Sequence, residues 1–160
     1  MKKYFCIFCL MVFSGCGFYS FSGSTLSVKT VAVPIFENET VEVDVEESIA
    51  SEIRDAIIKD GNMKVVGESQ ADAVLSGKIV DVKEEADTFS KSEQADQFKI
   101  RVFADITFLD KRRNKVIWEE KRMEGWARYD AKDTAARDDA IKEALQMLAK
   151  DIIDKTVSGW

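Results

Sequence analysis

Apolar residues recur along this chain with two periods, and the places where the period changes mark its elements. Val45, Ile49, Ile53, Ala56 and Ile57 repeat at three- to four-residue intervals, which places them on one stripe of a helix. Asp44 stands before the stripe as an N-cap with Glu47 three residues on, close to a capping box although the cap is not Ser or Thr. Asp60-Gly61 stops the helix, because glycine takes the left-handed conformation after a last turn without steric cost. A wider stripe through Ala140, Ile141, Ala144, Leu145, Leu148, Ile152 and Ile153, with Asp and Lys opposite, predicts a second helix over about 133–157. Asp133 or Thr134 caps it and Ser158-Gly159 ends it.

Elsewhere the period is two, or the residues are β-branched. Residues 29–36 (KTVAVPIF) read as a first strand; Pro34 cannot donate to a ladder, so the strand is predicted to be short, at an edge or ended by a bulge. Residues 37–44 form an acidic loop, and 63–66 a short strand. Residues 73–84 read as a longer strand with imperfect alternation: Leu75 and Ile79 point one way, Val80 and Val82 the other, which a bulge near Gly77 or burial on both faces explains. The polar stretch 85–97 (EADTFSKSEQADQ) reads as a mobile loop. Phe98, Ile100, Val102, Ala104, Ile106 and Phe108 then alternate along a strand over 98–110, the turn 110–115 (DKRRNK) follows, and 116–128 returns as its hairpin partner. The order is β-α-β-β-β-β-α, an α+β class in which two helices cover one face of a mostly antiparallel sheet.

The first residues follow neither period. Met1-Lys2-Lys3 precedes an apolar run over 4–13 (YFCIFCLMVF), then Ser14-Gly15-Cys16. A basic start, an apolar run too short to span a bilayer and a small-residue cleavage site make residues 1–15 a secretory signal. Two small residues before a cysteine resemble a lipobox, so Cys16 is the expected lipidation site and the first mature residue; Phe13 departs from the aliphatic residue usual in that box. Ordinary cleavage would leave an unpaired thiol at the mature N-terminus, a liability in an oxidising compartment. Cys6 and Cys9 have the C-x-x-C spacing of a redox pair, but both lie inside the signal and leave with it. Residues 16–27 read as a lipidated N-terminus and tether, with Phe18, Tyr19 and Phe21 available to pack, and 28–160 as one domain.

Charge narrows the partners. Cleavage removes Lys2 and Lys3 from 23 basic residues and none of 29 acidic ones, leaving 145 residues with a net charge of −8. Such a surface argues against nucleic acid, which needs a basic footprint. With no histidine anywhere, Ser-His and Cys-His triads are excluded; no phosphate-binding glycine loop or nucleophile elbow occurs either. No catalytic residue and no cofactor are expected. The acids Glu37, Glu39, Glu42, Asp44, Glu46 and Glu47 have the density of a calcium site but lack its glycine and ligand spacing, and read better as a solvated loop that complements a helix N-terminus. Lys111, Arg112, Arg113 and Lys115 are the one dense basic cluster: a phosphate-binding hairpin tip, against the plainer reading of a charged turn that resists aggregation. Trp118, Trp126 and Trp160 read as core or partner-facing rather than as a ligand cage.

The ordered set Cys16-Gly17-Phe18-Tyr19-Ser20-Phe21-Ser22-Gly23, KTVAVPIFEN over 29–38, the first helix, DGNMKVV over 60–66, ADAVLSG over 71–77 and VIWEE over 116–120 resembles the LptE family across essentially the whole mature chain. What the resemblance implies is a two-layer α/β sandwich of two helices on a four-stranded sheet, anchored in the outer membrane. It further implies a plug inside the large β-barrel LptD that helps lipopolysaccharide reach the surface and contacts it through basic residues. Gly17 after Cys16 agrees with outer-membrane sorting. The resemblance does not carry the family's lipopolysaccharide contacts over residue by residue, so Lys111, Arg112, Arg113 and Lys115 rest on charge alone. Two other readings remain at this point: a different outer-membrane lipoprotein subunit serving secretion or envelope integrity, and a periplasmic small-ligand module. An internal apolar cavity would favour the second; a solid core beneath a broad open sheet face would favour a plug.

Overall fold

A computed structural model describes residues 28–89, 95–133 and 135–158. The signal, Cys16 and the tether, Thr134, Gly159 and Trp160 lie outside the described residues. Six strands and two α-helices follow one another: β1 (Thr30–Ala32), β2 (Glu37–Asn38), α1 (Val45–Asp60), β3 (Lys64–Val65), β4 (Ala73–Phe89), β5 (Ala95–Asp110), β6 (Lys115–Asp130) and α2 (Ala136–Ser158), with a 3-10 turn at Glu68–Gln70.

Both helices form where the stripes place them. Val45, Ile49, Ala50, Ile53 and Ile57 of α1 are buried, and so is every residue of the stripe on α2. Gly61 (φ 76°) donates its N–H to the Ile57 carbonyl and closes α1. Asp44 holds the N-cap position but not as a side-chain cap. It is itself left-handed (φ 63°) and makes no side-chain cap bond; its carbonyl instead accepts the Ser48 N–H at 3.0 Å. Asp133 does cap α2, its Oδ1 taking the N–H groups of Ala135 and Ala136 at 3.0 and 3.3 Å.

The sheet departs from the four-stranded, mostly antiparallel expectation. It is six-stranded and mixed, in the order β3-β1-β4-β5-β6, with β2 also on β4. The long pairings, β4 with β5 and β5 with β6, are antiparallel; β1 pairs in parallel with both β3 and β4, and β2 in parallel with β4. Short β1 is therefore interior rather than an edge, because two-residue β3 adds outside it. Pro34 acts by ending it at Ala32.

Most of the 85–97 stretch is strand, not loop: β4 runs on through Phe89 and β5 starts at Ala95, with Glu85 opposite Lys99 and Ala86 opposite Phe98. Here the ribbon passes beyond the helices' cover, so both faces tolerate polar residues and no alternation betrays the strand. The irregularity in β4 falls between Ile79 and Asp81. Val80 is the extra residue, which returns Val82 to the core face opposite Val102 and reconciles the broken alternation.

The core is the layer between the two helices and one sheet face. Ile79 of β4, Ile100, Val102, Ala104, Ile106 and Phe108 of β5 and Ala127 of β6 meet Ile49, Ile53, Leu145, Leu148 and Ile152 from the helices. Gly125 lets α2 lie directly on β6: a Cβ there would overlap the Ala144 carbonyl oxygen and sit 2.7 Å from Leu148 Cβ. The helices run parallel, since Arg137 bonds Glu42 and Gln146 bonds Glu52 in step. Both therefore point their C-termini toward the β5–β6 turn and the entry of the chain at Val28. No described helix is long and apolar enough to cross a membrane.

Candidate functional site

With the helices on one face, the other face of β4, β5 and β6 stands open. Alternation along β5 sends Lys99, Arg101, Phe103 and Asp105 outward, and pairing aligns Arg101 with Trp126, Lys99 with Arg128 and Phe103 with Asp81 and Glu124. Arg101 forks onto Glu124, both bonds 2.7 Å, and passes 3.7 Å from Glu85. That bidentate bond holds the Glu124 carboxyl below its usual range and raises the guanidinium. Arg122 reaches Asp81 at 3.1 Å, and Arg128 reaches Asp87 at 2.6 Å.

Two rings lie under these cations. Lys99 and Arg128 stand 4.4 and 4.8 Å from the Trp126 ring centre, and Arg101 and Arg122 stand 5.1 and 4.6 Å from that of Phe103. Phe103 is only 7% exposed although it points away from the core, because the two guanidinium groups roof it over. The face is a lattice of alternating charge over aromatic rings. Exposed pairs of this kind contribute little to stability, about 0–1 kcal/mol each, so they can re-pair with a partner at small cost. A polar, hydrogen-bonding face of this sort suits a wetted wall rather than lipid tails.

Arg122 owes its place to a bulge. It is left-handed (φ 54°), its N–H bonds Asp105 Oδ1 at 2.9 Å, and the β5–β6 register slips there between Ala104 and Ile106. The sequence reading did not find this surface: it noted Trp126 but not the cations around it. Odd positions of β5 were recognisable as outward; their partners on β6 depend on that slip.

The basic cluster is where it was expected, at the tip between β5 and β6, but partly engaged by the protein itself. Lys111 donates its backbone N–H to the Asp72 carbonyl at 2.9 Å and its ammonium to the Glu68 carbonyl. Arg112 lies 3.5 Å from the Asp72 carboxylate. Buried Asp110 accepts the Arg113 N–H at 2.9 Å, and left-handed Asn114 (φ 49°) completes the turn. Arg113 is 71% exposed and Lys115 is exposed. The cluster and the open-face lattice are separate surfaces. Of the tryptophans, Trp118 packs at the core edge, 6.2 Å from Phe108, Trp126 lies on the open face, and Trp160 is outside the described residues.

The acidic loop does not converge on a centre. Glu39 pairs with Lys78 at 2.9 Å, Glu46 accepts from Asn38, and Glu42 accepts from Arg137 at 2.6 Å. Arg137, in the first turn of α2 where a cation opposes the helix dipole, also reaches Glu84 at 2.9 Å, and the Tyr129 hydroxyl donates to Glu84 at 2.7 Å. Burial, then the bond to Glu84, pushes the Tyr129 hydroxyl up to about 12; the Arg137 bond lowers Glu42, and the Tyr129 bond lowers Glu84. This knot ties the loop before α1, the upper part of β4 and the start of α2. Among the described residues no group of three or more acids is placed to hold a metal. The groove between the N-terminal halves of the helices, lined by Val41, Val43, Asp138 and Ile141, is an open surface cleft, not an internal cavity.

Comparison with known proteins supplies what geometry alone does not. A family model described as LptE, lipopolysaccharide-assembly, matches residues 28–156. None of the curated proteins matches the chain. Among solved structures, protein XCC0632 from Xanthomonas campestris superposes with a TM-score of 0.60 at 11% identity, over 82% of this chain and 85% of that one. The rare lipoprotein B of Shewanella oneidensis gives 0.56 at 14%, over 82% and 96%. A PelC dodecamer from Paraburkholderia phytofirmans gives 0.52 at 18%, over 76% and 84%. At these identities the structures share the fold and nothing finer.

Proposed function

The chain belongs to the LptE family of lipopolysaccharide-assembly proteins, and from that premise we propose that it is a non-enzymatic lipoprotein subunit of an outer-membrane lipopolysaccharide translocon. It acts as plug and assembly partner of an LptD-like β-barrel. The observation that carries this reading is the pairing of a closed core with an open sheet face whose cations and rings are held in exchangeable pairs. A barrel lumen is polar, and a charge lattice can re-pair against it. The groove at Val41, Val43, Asp138 and Ile141 is open to solvent, which suits a small-ligand carrier less well than an enclosed apolar pocket would. A photo-reactive cross-linker at Arg101, in cells expressing the barrel, is expected to capture that barrel, while one at exposed Lys59 on the helix side captures little. Equal capture at both positions, or capture of a different barrel, overturns the reading.

Anchoring is proposed at Cys16, the residue after Ser14-Gly15. One acyl chain holds a protein only marginally, whereas two or more give stable attachment. Cys16→Ser is expected to give unprocessed or soluble protein. A cleaved wild-type N-terminus without acyl mass in mass spectrometry would refute the assignment.

Lipopolysaccharide contact is proposed for Lys111, Arg112, Arg113 and Lys115. Lipid A presents phosphates, and the arginine fork matches phosphate oxygens two at a time. The double variant Arg112→Glu, Arg113→Glu is expected to bind lipopolysaccharide at least tenfold more weakly, with a melting temperature close to wild type, since surface changes usually move stability by under about 0.5 kcal/mol. Wild-type affinity should also fall as salt rises. Binding of the variant equal to wild type at low salt leaves the tip a solvated turn.

A further inference from the structure

The domain is charged unevenly from end to end, and the uneven end is the one where the chain enters. Lys29, Lys64, Lys111, Arg112, Arg113 and Lys115 are all exposed, lie at the β5–β6 tip and the starts of β1 and β3, and outnumber the acids Glu68, Asp72 and Asp110 that contact them. Their closeness is fixed by one residue: Asp72 accepts the backbone N–H groups of Lys29 and Thr30 at 2.9 and 3.1 Å and lies 3.5 Å from Arg112. Lys64 joins them through its N–H to the Lys29 carbonyl, 2.9 Å. The opposite ends of the helices, their N-termini, carry Glu42, Asp44, Glu46, Glu47, Asp138 and Asp139. Arg137 joins Glu42 to Glu84, which stands opposite Ile100, so the 11 residues of β5 from Ile100 to Asp110 separate the two groups by about 35 Å.

The chain outside the described residues decides what meets the basic end. Cys16 stands twelve residues before Val28, where the fold begins. Twelve residues reach at most about 40 Å. An anchor at Cys16 joins the fold at its basic end, so that end is held nearer the lipid headgroups than the acidic one. Resting on the lipidation of Cys16 proposed above, we infer that Lys29, Lys64 and the Lys111–Lys115 tip form a docking surface for the anionic phospholipid headgroups of the leaflet that holds the anchor. This surface sets the tilt of the domain: helices and open sheet face stand roughly upright, and the acidic end points away. Like charge at that end works against the inverted pose, and each cation near an anionic surface strengthens binding about fivefold.

The test uses the whole mature chain with Cys16→Ser, so that no acyl chain drives binding, in co-sedimentation with phosphatidylglycerol-rich or purely phosphatidylcholine vesicles at low salt. Binding is expected to the anionic vesicles, not to the neutral ones, and to fade with salt. Lys29→Glu with Lys64→Glu is expected to weaken it at least tenfold, while Lys132→Glu with Lys142→Glu, which changes net charge equally at the far end, leaves it within twofold. No binding to anionic vesicles, or equal loss in both double variants, overturns the inference. Lipopolysaccharide binding by the same variants separates it from the earlier reading: a Lys29/Lys64 variant that keeps lipopolysaccharide but loses the vesicles supports the headgroup surface, and the reverse pattern overturns it. The state of Cys16 is read independently by mass spectrometry of the wild type.

Discussion

Gly125→Val is expected to prevent the native fold, or to lower stability by more than about 3 kcal/mol of the 5–15 kcal/mol usual for a domain. No left-handed backbone is involved; the demand is for space. A Cβ at this position would overlap the Ala144 carbonyl oxygen and stand 2.7 Å from Leu148 Cβ and 2.9 Å from the Leu148 nitrogen. Two of these neighbours are backbone atoms of α2, so no rotamer change relieves the contact. The helix would have to lift off β6 and uncover Leu145, Leu148 and Ile152. Gly67→Ala provides the comparison, because nothing lies within 4 Å of a Cβ there. Thermal and urea unfolding of both variants decide it; a Gly125→Val transition within a few degrees of wild type would mean that α2 does not sit against β6 as described.

Leu148→Asp is expected to be nearly as severe. Leu148 is 0% exposed and lies in the layer between α2 and the sheet. The variant loses the apolar contact and leaves a carboxylate among Ile and Leu side chains without a partner, together about 3–5 kcal/mol. Two positions along, Lys150 faces water and pairs with Asp154 one turn on. Lys150→Asp forfeits that pair and sets like charges together, which costs under about 1 kcal/mol. At about 2–4 °C per kcal/mol for a chain of this size, the two should differ by several degrees or more, and Leu148→Asp should show no cooperative transition if the loss exceeds the reserve. Equal melting temperatures would place the buried face of α2 elsewhere.

Legibility in this sequence followed cover. Where a helix or strand has one face on the core, as with the α2 stripe or Ile100 to Phe108, the period alone located it. Where cover stops, at Glu85–Phe89 and Ala95–Gln97, strand and loop look alike in sequence, because hydrogen bonding to the neighbouring strand rather than burial holds them. The parallel additions of β1, β2 and β3 are two or three residues long and depend on contacts far along the chain, such as Val31 opposite Ala73. Local pattern carries no trace of them. Gly125 reads as one small residue in a strand; only the docked helix shows what it does. The basic tip was plain from composition, but its alliance with Lys29 and Lys64 through Asp72 needed the fold.

That same Asp72 junction has a mechanical side. Any pull on the N-terminus arrives first at Lys29 and Thr30, whose N–H groups share one carboxylate, and then at β1, held between β3 and β4. Force directed along a strand bonded on both flanks loads its hydrogen bonds in shear, all at once, instead of peeling them in turn. A tug on the leash is thus shared between the strands on both flanks of β1, and through Asp72 part of it reaches the β5–β6 tip as well.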